Sequence, residues 1–146
     1  MAMKLKIDNE TLAEEFFEAT HLFGIVAPVK DYHFTWHINT HLGYKFRINN
    51  GLEIQLRKKD RNYFFSIYEY MVPNSCRAHY IYHNQYDGEY LLPEFKHLDF
   101  LWLVRDEEID TAELNLLQQS IKQLPAVQLI TEMTNEKIKN KQHLIF

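Results

Sequence analysis

Two groups of residues in this sequence have types and spacing that could support chemistry. The first is Glu94, His97 and Asp99, which stand within one short segment. A carboxylate that orients an imidazole can make it a general acid or base, so these residues form a candidate hydrolase-like site. Because no nucleophile, glycine-rich loop or metal motif accompanies them, the sequence favours a structural role, and we assign no catalytic residue.

The second group is His33, His37 and His41, which follow one another at intervals of four residues. On a helix such residues lie on one side, where two imidazoles could bind one zinc or nickel ion. A complete site needs a further ligand and a hydrogen-bond acceptor behind the imidazole, and the sequence assigns neither. On a strand the same residues would be about 13 Å apart, too far for chelation. We therefore expect surface histidines, no metal and no cofactor, and we also place His79 and His83 on the surface of a sheet.

A cluster of basic residues is the candidate nucleic-acid surface, and its members are Arg57, Lys58, Lys59 and Arg61, with Lys45 and Arg47 expected across a hairpin. Lysine and arginine bind phosphates, and the aromatic residues that follow could stack on unpaired bases. The alternative is a charged hairpin tip that protects a sheet edge from aggregation. Since the formal net charge is -4, the overall balance argues against a dedicated nucleic-acid binder.

Length and composition favour one domain over residues 1–146, large enough to bury its own core. Cys76 is the only cysteine, which excludes an internal disulfide and indicates a reducing compartment. The first residues lack the apolar core of a signal peptide, and no stretch of about 20 apolar residues follows. These features predict a cytoplasmic protein that does not enter a membrane.

The elements that would position the candidate residues are mainly strands. The apolar residues 98–104 predict a strand covered on both faces. Residues 44–48 and 52–56 alternate in polarity around Asn50-Gly51, which predicts a tight hairpin. An aromatic strand at residues 63–71 and a strand at residues 78–83 complete a four-strand meander. A short strand is also expected at residues 3–7.

Helices are predicted from caps and apolar spacing. Asp8 or Asn9 begins a helix in which Leu12, Phe16, Ala19 and Phe23 face the core and which Gly24 ends. Residues 32–42, between Asp31 and Gly43, predict a second helix with Tyr32, Trp36, Ile38 and Leu42 facing inward, although alternation of Phe34, Trp36 and Ile38 leaves a strand as the competing interpretation. Asp110 and Pro125 delimit a third helix, followed by a strand near residues 127–130.

These elements predict an α+β fold with a mainly antiparallel sheet of five to seven strands. It combines the four-strand meander with a late strand-helix-strand unit, and helices pack on one face. Residues 84–97 form a long connection that is too apolar to be a loose tether, so we expect it to pack over the sheet. The apolar carboxyl end, Leu144-Ile145-Phe146, is expected to dock on the body.

One segment resembles a known signature. Leu92-Pro93-Glu94 and Leu98-Asp99-Phe100 are similar to the I-P-E-x-x-x-V-D-Y motif of the bacterial family named after it. Proline, glutamate and aspartate match, while Leu92, Leu98 and Phe100 replace the other three positions by apolar relatives. The change at Phe100 excludes a role that needs a phenol hydroxyl but preserves packing. The resemblance implies a bacterial protein from a family without an assigned activity.

Three functional hypotheses follow. The leading one is a non-enzymatic interaction module that contacts a second copy or another protein through the aromatic sheet surface of residues 63–71. The second is an RNA-associated accessory protein that uses the basic hairpin around residues 57–61. The third is a hydrolase-like enzyme that uses Glu94, His97 and Asp99. The sequence itself supplies no substrate or partner identity.

Overall fold

The computed structural model describes residues 14–134 and 137–146 of the chain. The predicted strand at residues 3–7, the cap at Asp8 or Asn9 and Leu12 lie outside the described residues. Two α-helices have both ends within them, α1 (Asp31–Leu42) and α2 (Thr111–Lys122). The strands within them are, in chain order, β1 (Thr20–Val26), β2 (Arg47–Ile48), β3 (Ile54–Lys58), β4 (Arg61–Phe65), β5 (Ile67–Met71), β6 (Ala78–His83), β7 (Gln85–Tyr86), β8 (Glu89–Tyr90), β9 (Phe100–Arg105) and β10 (Leu129–Met133).

The largest sheet in the described chain joins six strands in the order β10-β1-β9-β6-β5-β2, and each neighbouring pair is antiparallel. Strand β9 lies inside this sheet between β1 and β6. Its residues from Phe100 to Val104 are fully buried, as expected of a strand that is covered on both faces. The predicted α+β class and the mainly antiparallel sheet are therefore confirmed.

Both α-helices pack on one face of the sheet, as predicted. Phe34 and Ile38 of α1 share an apolar core with Ile121 of α2, and Trp102 of β9 lies in the same core. Side chains of a strand alternate between the two faces, so the neighbours of Trp102 point the other way. The helices therefore cover only half of the apolar surface of β9.

The opposite face is covered by irregular segments of the chain. Leu92 and Leu144 are fully buried there, in a core that also includes Leu101 of β9 and Ile54 of β3. The Tyr82 hydroxyl donates a hydrogen bond to the carbonyl oxygen of Leu144 at 2.8 Å. The predicted packing of the connection at residues 84–97 and the predicted docking of the carboxyl end are both confirmed.

The first predicted helix ends earlier than the sequence pattern indicates. Residues 14–17 are helical, but Ala19 has a φ of 55° and β1 begins at Thr20. Phe23 is thus a strand residue, and its assignment to the helix was wrong. Gly24 does not end a helix; a Cβ atom there would lie 2.5 Å from Leu98 Cδ1, so glycine permits close packing inside the sheet.

The hairpin predicted at Asn50-Gly51 was also wrong, and with it the four-strand meander. Strand β2 pairs with β5, whereas β3 pairs with β4 in a separate two-stranded sheet. The turn between β3 and β4 is Lys59-Asp60, where both residues have positive φ angles of 51° and 62°. The predicted aromatic strand at residues 63–71 is interrupted at Ser66, so β4 and β5 belong to different sheets.

Helix α1 confirms the helical interpretation of residues 32–42, with Gly43 in the left-handed conformation at its end. Ile38 is buried, but Tyr32 and Trp36 are exposed, so their predicted inward orientation was wrong. Within the described part of the chain, every helix is too short or too polar to span a bilayer.

The predicted strand-helix-strand unit is present as β9, α2 and β10, but β1 lies between its two strands. Helix α2 begins with Asp110 as its N-cap, whose carboxylate accepts the backbone N–H of Glu113 at 2.8 Å. Strands β9 and β10 are both antiparallel to β1, which lies between them. They are therefore parallel but not neighbours, and the crossover through α2 passes over β1.

Candidate functional site

Glu94 of the signature binds the carboxyl-terminal segment. Its carboxylate accepts the backbone N–H groups of Lys139 and Asn140 at 2.7 and 2.8 Å and the Asn140 side-chain amide at 2.8 Å. Burial opposes the charge, but the hydrogen bonds from Asn140 and Lys139 outweigh burial and lower the pKa of Glu94. All the observed contacts of this carboxylate hold protein segments together.

Asp99 of the signature joins the centre of the sheet to the start of a loop. Its carboxylate accepts the Ala27 backbone N–H at 2.8 Å, and its own N–H donates to the Ile25 carbonyl at 2.8 Å. Ala27 directly follows β1, so Asp99 supplies an acceptor at the point where the strand ladder stops.

His97 does not join these two carboxylates. Its side chain is exposed, and its ring contacts Phe95 with 6.2 Å between ring centroids. Within the described residues, no hydrogen bond or ion pair links it to Glu94 or Asp99. The structure therefore does not bring together the three residues of the hydrolase-like site.

Asn84 is a buried polar residue that the sequence analysis missed. Its side-chain amide donates to the carbonyl groups of Phe95 and Leu98 at 3.0 and 2.9 Å, and its oxygen accepts the Leu92 N–H at 2.8 Å. It thereby fixes both ends of the signature segment. One polar residue after an apolar strand is an ordinary loop pattern, so the sequence contained no specific signal for this role.

The three histidines of α1 form a stack instead of a metal centre. The ring centroids of His33 and His37 are 4.7 Å apart, and those of His37 and His41 are 5.7 Å apart, both in stacked orientation. Within residues 14–134 and 137–146, no group of three or more His, Cys, Asp or Glu residues could hold a metal ion. Burial and then the neighbouring imidazoles lower the pKa of His37, which favours its neutral form.

Acidic residues pair with most of the basic hairpin. Arg57 lies 3.8 Å from Asp60, Lys58 lies 3.1 Å from Glu89, and Arg61 is bonded to Asp87. Lys45 and Arg47 belong to a different part of the fold, since β2 pairs with β5 and not with β3. The prediction that they lie across a hairpin from Arg57 was therefore wrong. The basic residues of the predicted patch therefore lie in two parts of the fold, and acidic partners compensate most of the charge at residues 57–61.

The aromatic sheet surface predicted at residues 63–71 is mostly internal. Tyr63, Phe65 and Tyr68 are buried by other segments of the same chain. Large exposed aromatic side chains occur instead on α1, where Tyr32 is 62% and Trp36 is 55% exposed. We call Tyr32, His33, Trp36 and His41 the α1 aromatic face, and all four are exposed.

A groove lies at the end of the sheet where β6 begins and β9 ends. Its volume is about 840 Å³, and its charged lining residues are Arg77, Arg105, Asp106, Glu107, Glu108 and Glu113. Arg77 donates from Nε to Asp106 at 2.7 Å and also binds Glu113 of α2. These ion pairs fasten α2 to the edge of the groove. Cys76 lies in the same groove and is exposed.

A smaller cavity adjoins this groove and shares Arg77 and Glu113 with it. Its volume is about 240 Å³, and we call it the His79 cavity; its lining residues are Tyr44, Arg77, His79, Ile109, Glu113, Leu116, Leu117 and Ser120. His79 is only 2% exposed, so its predicted position on a sheet surface was wrong. Every residue of β6 before His83 is buried because helices cover one face and the carboxyl-terminal segment covers the other.

His79 has a defined hydrogen-bonding state. The Trp102 indole N–H donates to His79 Nδ1 at 3.0 Å. Burial, followed by the nearby Arg77 charge, lowers the pKa of His79 to about 4, although Asp106 acts in the opposite direction. His79 is therefore neutral at pH 7, and since Nδ1 accepts, the proton resides on Nε2. Burial also raises the pKa of Tyr44, which keeps its phenol protonated.

No family model matches the chain, and no curated protein matches it. The resemblance of Leu92-Pro93-Glu94 and Leu98-Asp99-Phe100 to a family signature therefore stays a prediction.

Proposed function

We propose that the protein is a non-enzymatic interaction module that binds a second copy of itself through the α1 aromatic face. The observation that carries the proposal is the exposure of Tyr32 and Trp36, at 62% and 55%, one turn apart on a helix. Phe34 and Ile38 anchor the opposite side of the same helix in the core. The rigid helix thus presents two large aromatic side chains, the residue types most enriched at protein interfaces.

A second copy fits this surface because the surface carries no fixed charge. Residues 32–42 contain no Asp, Glu, Lys or Arg, although charged residues make up 25% of the chain. Asp31, the first residue of α1, accepts a hydrogen bond from the Tyr68 hydroxyl at 2.9 Å and is turned towards the sheet. In a two-fold dimer the same surface patch of each copy faces the other, so a face without fixed charge avoids repulsion between like charges.

The other hypotheses have less support. RNA binding through residues 57–61 would have to compete with the acidic partners of Arg57, Lys58 and Arg61. A hydrolase-like reaction at Glu94, His97 and Asp99 lacks a shared site, since the two carboxylates bind different backbone segments.

We further propose that the chain belongs to the bacterial family with the I-P-E-x-x-x-V-D-Y signature and acts in the cytoplasm. What supports family membership is that both acidic signature residues have distinct structural partners, Asn140 for Glu94 and Ala27 for Asp99. A crystal structure of a protein with the full signature tests this proposal. We expect its glutamate to bind a carboxyl-terminal segment and its aspartate to bind the residue that follows the first strand.

Analytical ultracentrifugation tests the proposed dimer. We expect the wild type to dimerise at about pH 7.5 and the Trp36→Ala variant to dimerise at least about tenfold more weakly, because truncated interface aromatics commonly cost that much or more. The matched control is Tyr86→Ala, since Tyr86 is also exposed but lies outside α1.

A wild-type protein that stays monomeric at high micromolar concentration would contradict the proposed homodimer. Equal weakening by Trp36→Ala and Tyr86→Ala would show that the dimer uses another surface. Circular dichroism of each variant verifies that the fold is retained.

A further inference from the structure

We infer that two copies of the chain bind a divalent transition-metal ion such as Zn²⁺ between their α1 helices, with His33 and His37 of each copy as its ligands. This inference rests on the proposed contact between α1 helices and names a ligand for it. Within the described residues, a single chain has no group of three or more side chains that could hold a metal ion. Protein zinc sites with only side-chain ligands usually have four, so a site made of histidine pairs is complete only when two copies meet.

His33 and His37 have the spacing of a metal-binding pair. They lie four residues apart on α1, as do the two zinc ligands of H-E-x-x-H helices. Their ring centroids are 4.7 Å apart, compared with 5.7 Å for His37 and His41. Two nitrogens on one tetrahedral zinc ion are about 3.3 Å apart, because each zinc–nitrogen bond is about 2.0–2.1 Å long. His33 and His37 are therefore the pair that needs less movement to chelate an ion.

The orientation of the His37 ring determines which of its nitrogens can bind a metal. Within the described residues, His37 Nδ1 is the one buried side-chain nitrogen or oxygen atom without a hydrogen-bond partner. Nε2 of the same ring also has no partner among these residues, and it is not buried. Nε2 is therefore the nitrogen that faces a bound ion. Because Nδ1 lacks the acceptor that usually supports a metal-bound imidazole, we expect micromolar rather than nanomolar affinity.

Trp36 places this histidine pair at the proposed interface. Its ring centroid lies 6.2 Å from that of His33 and 5.1 Å from that of His37. The same patch of each copy faces the other in a two-fold dimer, so a contact through Trp36 brings the two histidine pairs together.

The composition of α1 determines which class of ion fits. Residues 32–42 contain no Lys or Arg that would repel a cation and no Asp or Glu that would favour Mg²⁺ or Ca²⁺. Imidazole ligands suit zinc, nickel and copper, whereas carboxylate and carbonyl oxygens suit magnesium and calcium. The site should therefore discriminate between these two classes of divalent ion.

Sedimentation with added metal salts tests the inference, at a protein concentration at which the metal-free chain is mostly monomeric. We expect zinc chloride to strengthen dimerisation at least about tenfold, because the ion binds the dimer in preference to the monomer. A chelator should reverse the effect, and magnesium chloride should have none. Isothermal titration calorimetry should give one zinc ion for every two chains.

Histidine variants identify the ligands. His33→Gln and His37→Gln should each abolish the effect of zinc, because each removes a ligand from both copies. His41→Gln is the matched control, since it changes the same residue type in the same helix and should preserve the effect. His33 and His41 are both exposed, so neither of these replacements disturbs the core, and circular dichroism verifies the fold of all three variants.

The outcomes separate this inference from the proposed dimer. A metal-free dimer that zinc does not strengthen would overturn the inference and leave the dimer intact. Binding of one ion per chain without a change in sedimentation, an equal effect of magnesium, or equal loss in all three variants would also overturn it. A chain that dimerises only with zinc would support the inference and contradict a metal-free dimer.

Discussion

At the scale of single residues, buried polar groups determine how the loops of this protein are arranged. Asn84 makes three hydrogen bonds to the signature segment, and Asp99 holds the residue after β1. His79 and Trp102 form a further polar contact inside the apolar core. Such groups are tolerated in a core because each has a partner, and loss of either partner leaves the other unsatisfied.

His79 should make the stability of the protein depend on pH. Its pKa is about 4 in the folded chain, below the usual histidine value of 6.5, so the unfolded chain binds the proton first as the pH falls. This contribution is fully present above pH 6.5 and is lost between pH 6.5 and about 4. The shift corresponds to roughly 3 kcal/mol in the free energy of unfolding.

Urea denaturation at several pH values measures this loss. The control is His79→Gln, whose amide oxygen can accept the Trp102 N–H but which does not titrate. We expect the wild type to lose more stability than the variant between neutral pH and about pH 4.5. If the free energy of unfolding of both proteins falls equally between neutral pH and about pH 4.5, the assignment of a buried neutral histidine is contradicted.

At the scale of elements, the geometry of the turn after β3 determines that β3 pairs with β4. The Lys59-Asp60 turn has two consecutive positive φ angles, which are the angles of a tight two-residue hairpin turn. Asn50-Gly51 has the preferred residues for such a turn, yet the Asn49 carboxamide accepts the Gly51 N–H at 2.9 Å and donates to Glu69 at 3.1 Å. The two hydrogen bonds of Asn49 thus stabilise a loop at Asn50-Gly51 that is not a hairpin turn.

Replacing Lys59-Asp60 by Asn-Gly should stabilise the protein. Glycine and asparagine accept positive φ angles more readily than lysine and aspartate, so we expect a gain of about 1 kcal/mol in the free energy of unfolding. Thermal or urea denaturation measures the gain. An unchanged or lower free energy of unfolding would contradict the strain assigned to the Lys59-Asp60 turn.

Helices and strands whose limits are determined by neighbouring residues could be predicted from the sequence. Features that depend on contacts with distant segments could not. Asp110 and Gly43 mark helix ends through their own backbone contacts or angles, and β9 is recognisable from its apolar run. Phe23 was assigned to a helix because an apolar residue every three or four positions fits both a helix and a buried strand. His79 looked exposed because the segments that cover it come from elsewhere in the chain.

At the scale of the whole molecule, the carboxyl-terminal segment acts as part of the core. Leu144 is fully buried, Phe146 packs on Tyr80 with 4.7 Å between ring centroids, and Glu94 binds the backbone at residues 139 and 140. The signature thus connects the last residues to the centre of the sheet. Its spacing was visible in the sequence, but the partners of Glu94 and Asp99 were not, since both are distant along the chain.

Glu94→Gln should loosen this segment. Glutamine retains one acceptor oxygen but places an N–H₂ group against backbone N–H donors, so we expect a loss of about 2 kcal/mol in the free energy of unfolding. Hydrogen exchange should become faster at residues 137–146 in particular. Glu53→Gln is the matched control, because Glu53 is exposed and lies on another part of the fold. Unchanged exchange at residues 137–146 would contradict the proposed attachment.

The position of β1 between β9 and β10 governs the order in which the protein can fold. Leu22 of β1 pairs with Leu103 on one side and with Met133 on the other, so both ladders of β1 join segments that are far apart in the sequence. During synthesis β1 emerges from the ribosome long before either partner. We therefore expect the two ladders of β1 to form after the more local β5–β6 and β6–β9 ladders, because pairing between distant segments is slow.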